Sequence, residues 1–217
     1  MTLTHMVLDA SCFKHARSVA EKEFIMVLCG FIRVFEFMQR NGECFVNCET
    51  KIRDVFWRYL QEVEITNAIR PFMFFRVNKE VEEKEGRLDL KIERLKPYTD
   101  PKAYFSIECK RIDGKNPARK SGLNAKYVKE GIDRYRLEKY TAFHGINGMF
   151  GFVVAAINIE DNVNAINLFL SKKEHLTKVR IDKQFEESYL SKHITNTGKN
   201  LSLYHLMFDF HESISQI

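Results

Sequence analysis

Between residues 13 and 40 the apolar positions Phe24, Val27, Leu28, Phe31, Phe35 and Met38 return at steps of three and four. That is the period of one helix face, so a long helix is expected there. Asn41-Gly42, which tolerates a left-handed backbone, is expected to end it. A second helix is expected from about Asn47, read as its N-cap, through Ile52, Val55, Phe56 and Leu60. Three strands follow. Residues 72–81 are rich in aromatic and β-branched side chains. Residues 87–93 alternate apolar and polar after a turn at Glu85-Gly86. Residues 103–112 lie beyond a loop carrying Pro97 and Pro101. A helix over 124–143, closing at His144-Gly145, leads to an almost wholly apolar strand over 149–157. A helix over 161–170 and a strand over 201–210 come last, separated by a stretch without clear pattern. The order predicts a mixed α/β fold, with helices flanking a central sheet.

Composition narrows the class. The 217 residues are 45% hydrophobic and 29% charged, which suits one well-solvated domain with a sizeable core. No repeat, low-complexity tract or linker divides it. The most apolar run, residues 24–38, is broken by Arg33 and Glu36 and falls short of the ~20 residues a bilayer span needs. The beginning of the chain lacks the charged, apolar and cleavage segments of a signal peptide. A cytoplasmic protein with no membrane partner is therefore expected. The five cysteines, Cys12, Cys29, Cys44, Cys48 and Cys109, form an odd set that reads as free thiols in a reducing compartment. Cys44 and Cys48 sit four residues apart, but no second Cys/His pair follows to complete a zinc site. No phosphate loop, nucleophile elbow or dinucleotide fingerprint supports a small-molecule enzyme.

The chemistry concentrates in Gly86-Arg87-Leu88-Asp89-Leu90-Lys91-Ile92 and Phe105-Ser106-Ile107-Glu108-Cys109-Lys110-Arg111. Side chains of a strand alternate faces with a period of two. Leu88, Leu90 and Ile92 should share one face and leave Asp89 on the other. Phe105, Ile107 and Cys109 should likewise leave Glu108 and Lys110 together, with Cys109 in the core. If the strands are neighbours, two carboxylates and an amine meet on one surface. Hard oxygen ligands with open positions suit Mg²⁺, and a lysine beside them can orient a water or neutralise developing charge.

The pattern resembles the PD-(D/E)XK (restriction-endonuclease-like) nuclease superfamily, whose core runs helix, three strands, helix, strand. Residues 47–157 follow that order as a catalytic core, with 1–46 as a helical extension and 158–217 as further helix and strand elements. The resemblance implies that Asp89 and Glu108 ligate Mg²⁺ (or Mn²⁺) with the carbonyl of Cys109, while Lys110 serves the attacking water. Leu88 stands where the family's name-giving proline would be. Many members add an acid from the preceding helix. Glu49 is the candidate here, with Glu43 and Glu80 behind it. The implied activity is hydrolysis of DNA phosphodiesters, in a role such as prokaryotic defence or a mobile element, with room for a homodimer. The alternative is a nuclease-like fold kept as a non-catalytic nucleic-acid-binding or assembly module.

Charge agrees with a nucleic-acid partner. The chain carries +5 overall, yet residues 110–140 alone hold ten basic and four acidic side chains. Counter-charge for a phosphate backbone is expected there. Arg119 and Lys120 are candidates in the loop after the Glu-x-Lys strand, and Lys126, Lys129 and Arg134 in the helix beyond it. His193 and His205 read as hydrogen-bonded structural residues.

Overall fold

The computed structural model describes residues 10–62, 69–83, 86–95, 103–118, 120–140 and 142–215. Among them lies a seven-stranded mixed sheet in the order β1-β2-β3-β4-β7-β6-β5. Its strands are β1 (Phe75–Glu83), β2 (Gly86–Arg94), β3 (Tyr104–Ile112), β4 (Ile146–Val153), β5 (Thr177–Lys178), β6 (Ser188–Ile194) and β7 (Asn200–Asp209). β3, β4 and β7 run parallel, and the outer strands continue antiparallel on both sides. The helices are α1 (Ala10–Arg40), α2 (Glu49–Tyr59), α3 (residues 123–136) and α4 (Ile159–Asn167). No helix among the described residues is long and apolar enough to cross a membrane.

The two-residue period of the strands sends their apolar side chains into two separate cores. On one face Phe105, Ile107 and Cys109 of β3 and Phe150 and Phe152 of β4 pack under α1 and α2. Phe31, Phe56, Phe150 and Phe208 interlock there, with ring centroids 4.9 Å apart for Phe31–Phe150 and 5.1 Å for Phe56–Phe208. Each fully buried phenylalanine contributes roughly 2–3 kcal/mol. Phe56 and Ile52 thereby pin α2, which sets its first residue, Glu49, beside the end of β3. On the other face Met149, Val153, Leu203 and Met207 pack under α3 and α4 through Tyr127, Ile132, Val163 and Ile166.

Several boundaries differ from the sequence expectation. Cys48, not Asn47, occupies the N-cap of α2, and its side chain makes no capping bond. The chain from Arg70 to Met73 forms a 3-10 turn, so β1 begins at Phe75 rather than at 72. α3 stops at Arg136 instead of reaching 143, because Glu138 takes a left-handed φ of 54° and turns the chain back. β4 spans 146–153 rather than 149–157. Its polar start was hidden because Asn147 is buried, its Oδ1 accepting from Ser106 N at 3.1 Å. β5 and β6 were not anticipated. In β6 the inward positions include Ser188, Ser191 and His193, polar groups buried with hydrogen bonds, so no apolar alternation marks the strand. The loop with Pro97 and Pro101, Glu85 and Cys12 lie outside the described residues or side chains. The described cysteines, Cys29, Cys44, Cys48 and Cys109, are free thiols.

Candidate active site

β2 and β3 pair at four positions, from Glu93↔Tyr104 to Leu90↔Ile107, and then part. Beyond that point β3 presents two backbone N–H groups, of Cys109 and Arg111, toward the edge that β2 has left. Residues two apart point to the same edge, and buried N–H groups need partners. Carboxylates take both places. Cys109 N donates to Asp89 Oδ2 at 2.9 Å, and Arg111 N donates to Glu49 Oε2 at 3.2 Å. The β1–β2 ladder is also distorted here. Glu80, opposite Asp89 in β1, has φ 52°, and Leu88 packs in the core under α3 while Leu90 and Ile92 pack under α1. The expected sharing of one face by Leu88, Leu90 and Ile92 is thus corrected: alternation breaks at Asp89, where the ladder opens.

Lys110 fills the fork. Its Nζ lies 2.7 Å from Glu108 Oε1, 2.8 Å from Cys109 O, 3.1 Å from Glu49 Oε1 and 3.8 Å from Asp89 Oδ2. Burial opposes its charge, but Glu108, Asp89 and Glu49 outweigh this and raise its pKa above the ordinary lysine value. Glu108 is fully buried. Burial first, with Asp89 nearby, lifts its carboxyl to about 7 against the pull of Lys110 and Arg134. No family model, curated protein or solved structure matches the chain. What the site can do is therefore argued from its own geometry.

Two arginines hold the cluster from outside. Arg53, one helical turn after Glu49 on α2, is buried. Its Nη1 donates to Asp89 Oδ1 at 2.7 Å, and its Nη2 to Glu80 Oε1 at 2.8 Å and Asp54 Oδ1 at 3.1 Å. On the opposite side Arg134 Nη1 donates to Glu108 Oε1 and to Tyr140 Oη, both at 2.7 Å. Tyr140 in turn donates to Arg87 O at 3.0 Å. Arg134 follows a π-helical stretch of α3, Val128–Ile132, a distortion common at functional sites. Gly131 lies within it, and a Cβ there would press on the end of the Met149 side chain and touch the stem of Lys110.

The structure brings Asp89, Glu108, Lys110, Glu49 and the Cys109 carbonyl together, with Arg134 touching Glu108. The Cys109 side chain lies in the core, as its strand position predicts. Lys120, Lys126 and Lys129 are exposed and make no described contact with the cluster, and Lys129 Nζ donates to Lys120 O at 3.2 Å. The buried residues of α3 face the sheet, which turns Lys126 and Lys129 outward. Arg119 lies outside the described residues. Glu43 bonds Arg58 and Tyr59 away from the fork, and Glu80 reaches Asp89 through Arg53. Sequence reasoning missed Arg53 and Tyr140. The one signal for Arg53 was a charge four residues after Glu49, beside Ile52 and Phe56.

Among the described residues no three His, Cys, Asp or Glu side chains close around one metal position. The amine of Lys110 stands between them instead. The donor set nevertheless suits a hard divalent cation, which needs only one or two carboxylates plus waters and substrate oxygens. Two carboxylates and a carbonyl converge, and Glu108 Oε2 is buried without a hydrogen-bond partner.

His193 and His205 are buried in a chain apart from this cluster. Tyr127 Oη meets His205 Nδ1 at 2.8 Å, Ser191 Oγ meets His205 Nε2 and His193 Nε2 at 2.7 Å each, and His193 Nδ1 meets Glu174 Oε1 at 3.3 Å. An ionised carboxylate only accepts. With Glu174 in that form, His193 donates to it, Ser191 donates to His193, His205 donates to Ser191, and Tyr127 donates to His205. Burial depresses both histidine pKa values. Their stabilising contribution is complete above pH 6.5 and is lost as pH falls below it. Glu108, raised, acts in the opposite sense between 4.5 and about 7. In Glu108→Gln that opposing group is gone, so stability should fall as pH drops from 7 to 5. Urea unfolding at pH 7 and pH 5 measures this, and a flat profile would mean both rings are charged in the fold.

Proposed function

We propose that the protein is a divalent-metal-dependent nuclease of the PD-(D/E)XK kind, hydrolysing DNA phosphodiesters. The observation that carries this reading is the parting of β2 from β3, where Asp89, Glu108, Glu49 and the Cys109 carbonyl surround the Lys110 amine. The order α2, β1–β3, α3, β4 supports it, since it follows the helix, three strands, helix, strand of the resembling core.

In this reading Asp89, Glu108 and the Cys109 carbonyl would hold Mg²⁺, with Glu49 as a further oxygen. When bound, the cation would polarise the scissile phosphate and make an attacking water more acidic. The protein's own groups do the rest. Arg53 and the Cys109 N–H hold Asp89 from opposite oxygens, so its carboxylate is oriented in advance. Lys110, tethered beside those oxygens, donates to the water or to a phosphate oxygen and offsets charge that develops there. Arg134 can leave Glu108 for the phosphate, because its guanidinium is partly exposed while Glu108 is not.

Purified protein with Mg²⁺ or Mn²⁺ is expected to nick or cut plasmid DNA. Asp89→Ala should lower that rate by on the order of 10³-fold without unfolding the chain. Cleavage by Asp89→Ala at the wild-type rate would remove this residue from the mechanism. Salt-sensitive DNA binding with no Mn²⁺ uptake in calorimetry would instead favour the non-catalytic binding module.

A further inference from the structure

Away from the fork, two cavities meet at Arg17, Asn200 and Leu201, which line both. The inner one, about 790 Å³, begins at Tyr140. Tyr140 is one hydrogen bond from Arg134, and Arg134 one from Glu108, so two side chains stand between this cavity and the cluster. The outer one, about 730 Å³, runs on toward Lys173 and Lys192. Their shared wall is firm: Gly145 has φ +70°, and a Cβ on it would run into the carbonyl of Asn200. Only glycine lets the turn before β4 close on β7 there.

The outer cavity is unevenly charged. Arg17, Arg136, Lys173 and Lys192 line it against two carboxylates, Glu21 and Glu174. Both acids are already engaged. Glu21 accepts from Tyr204 Oη at 2.5 Å, while Glu174 accepts from Ser171 Oγ at 2.7 Å and pairs with Arg136 at 3.5 Å. Arg17 makes one described side-chain hydrogen bond, to Ser202 Oγ at 3.1 Å. Lys173 and Lys192 are exposed and form no ion pair with a described residue. Three cations thus remain available for an anion, in a cleft linked to the proposed reaction centre by the side chains of Tyr140 and Arg134. One phosphate would occupy a single cavity, whereas successive phosphates would use the two that flank Arg17.

We propose that this groove binds the sugar–phosphate backbone of a nucleic-acid strand leading away from the scissile bond, with Arg17, Lys173 and Lys192 as its phosphate contacts. The inference deepens the nuclease reading and rests on it for the direction of the strand. It also moves the counter-charge from the outer side of α3, where Lys126 and Lys129 lie, to the far end of the sheet.

The test uses the full chain and a fluorescein-labelled oligonucleotide, single-stranded or duplex, followed by anisotropy in EDTA between about 50 and 200 mM salt. The variant Arg17→Ala/Lys173→Ala/Lys192→Ala is expected to bind at least ~10-fold more weakly, with a salt slope smaller by about 2–3. Calorimetric Mn²⁺ uptake by the same variant should match wild type, since none of the three residues touches the fork. Wild-type affinity and slope in the variant would overturn the groove while leaving cleavage, if present, intact. Conversely, loss of oligonucleotide binding in the variant, in a protein that neither cleaves DNA nor takes up Mn²⁺, would keep the groove and end the catalytic reading. Displacement of the oligonucleotide by millimolar adenosine monophosphate would overturn the strand in favour of a nucleotide pocket.

Discussion

Lys110→Met is expected to abolish metal-dependent hydrolysis and to lower the stability of the metal-free protein by about 3 kcal/mol. The ammonium lies 2.7 Å from Glu108 Oε1 and 2.8 Å from Cys109 O, two acceptors it satisfies in a buried place. Methionine fills similar volume but donates nothing. Glu108 would then keep one cationic partner, Arg134, which is itself partly exposed. The loss stays at the low end for a broken buried pair because Glu108, at about 7 even with the amine present, can escape by taking a proton. The deficit relative to wild type should therefore narrow on acidification toward pH 5, since the histidine contribution is common to both proteins. Millimolar Mn²⁺ should stabilise it more than wild type, since the oxygens are no longer held by an amine. Thermal unfolding with and without Mn²⁺ at two pH values reads all of this. A variant as stable as wild type and indifferent to Mn²⁺ would show that these oxygens form no cation site.

Arg53→Met is expected to cost about 3–5 kcal/mol and to weaken Mn²⁺ binding ~10- to 100-fold. The guanidinium is the hub for Asp89, Glu80 and Asp54. Burial works against its charge, but Glu80 and Asp89 reverse that, and its pKa is raised. Removing it leaves three carboxylates near one another and Asp89 Oδ1 without its donor. Glu80 and Asp54 are partly exposed, so water will screen their share. The penalty falls mainly on Asp89, at the fork. Arg53→Lys should recover only part of either effect, because one ammonium cannot span acceptors that a planar fork reaches together. Urea denaturation and Mn²⁺ calorimetry separate the two consequences. Equal Mn²⁺ affinity in a folded Arg53→Met would remove Arg53 from the positioning of Asp89.

Much of the frame was legible because periodicity records burial. The three-and-four spacing in α1 marked the stripe that meets the sheet, and the alternation in β3 separated Cys109 from Glu108 and Lys110. Where burial was achieved by hydrogen-bonded polar groups, the record was blank, as in β6 and at Asn147. The end of α3 was misread because residues 137–143 keep a helical composition, while the turn at Glu138 and the bond from Tyr140 to Arg87 O depend on a partner 53 residues away.

Local pattern alone therefore determined which residues face a core and which carry charge beside the sheet, since strand and helix periods are short-range properties of the backbone. It could name Asp89, Glu108 and Lys110 as chemically suited to one another, and could not bring them together. Tertiary structure decided that β2 leaves β3 at Leu90, that α2 delivers Glu49 and Arg53 to the gap, and that Arg17 and Lys192 share a cleft. Each of those joins residues far apart in the chain. Such contacts form when whole elements dock, and no short-range repeat in the sequence encodes them.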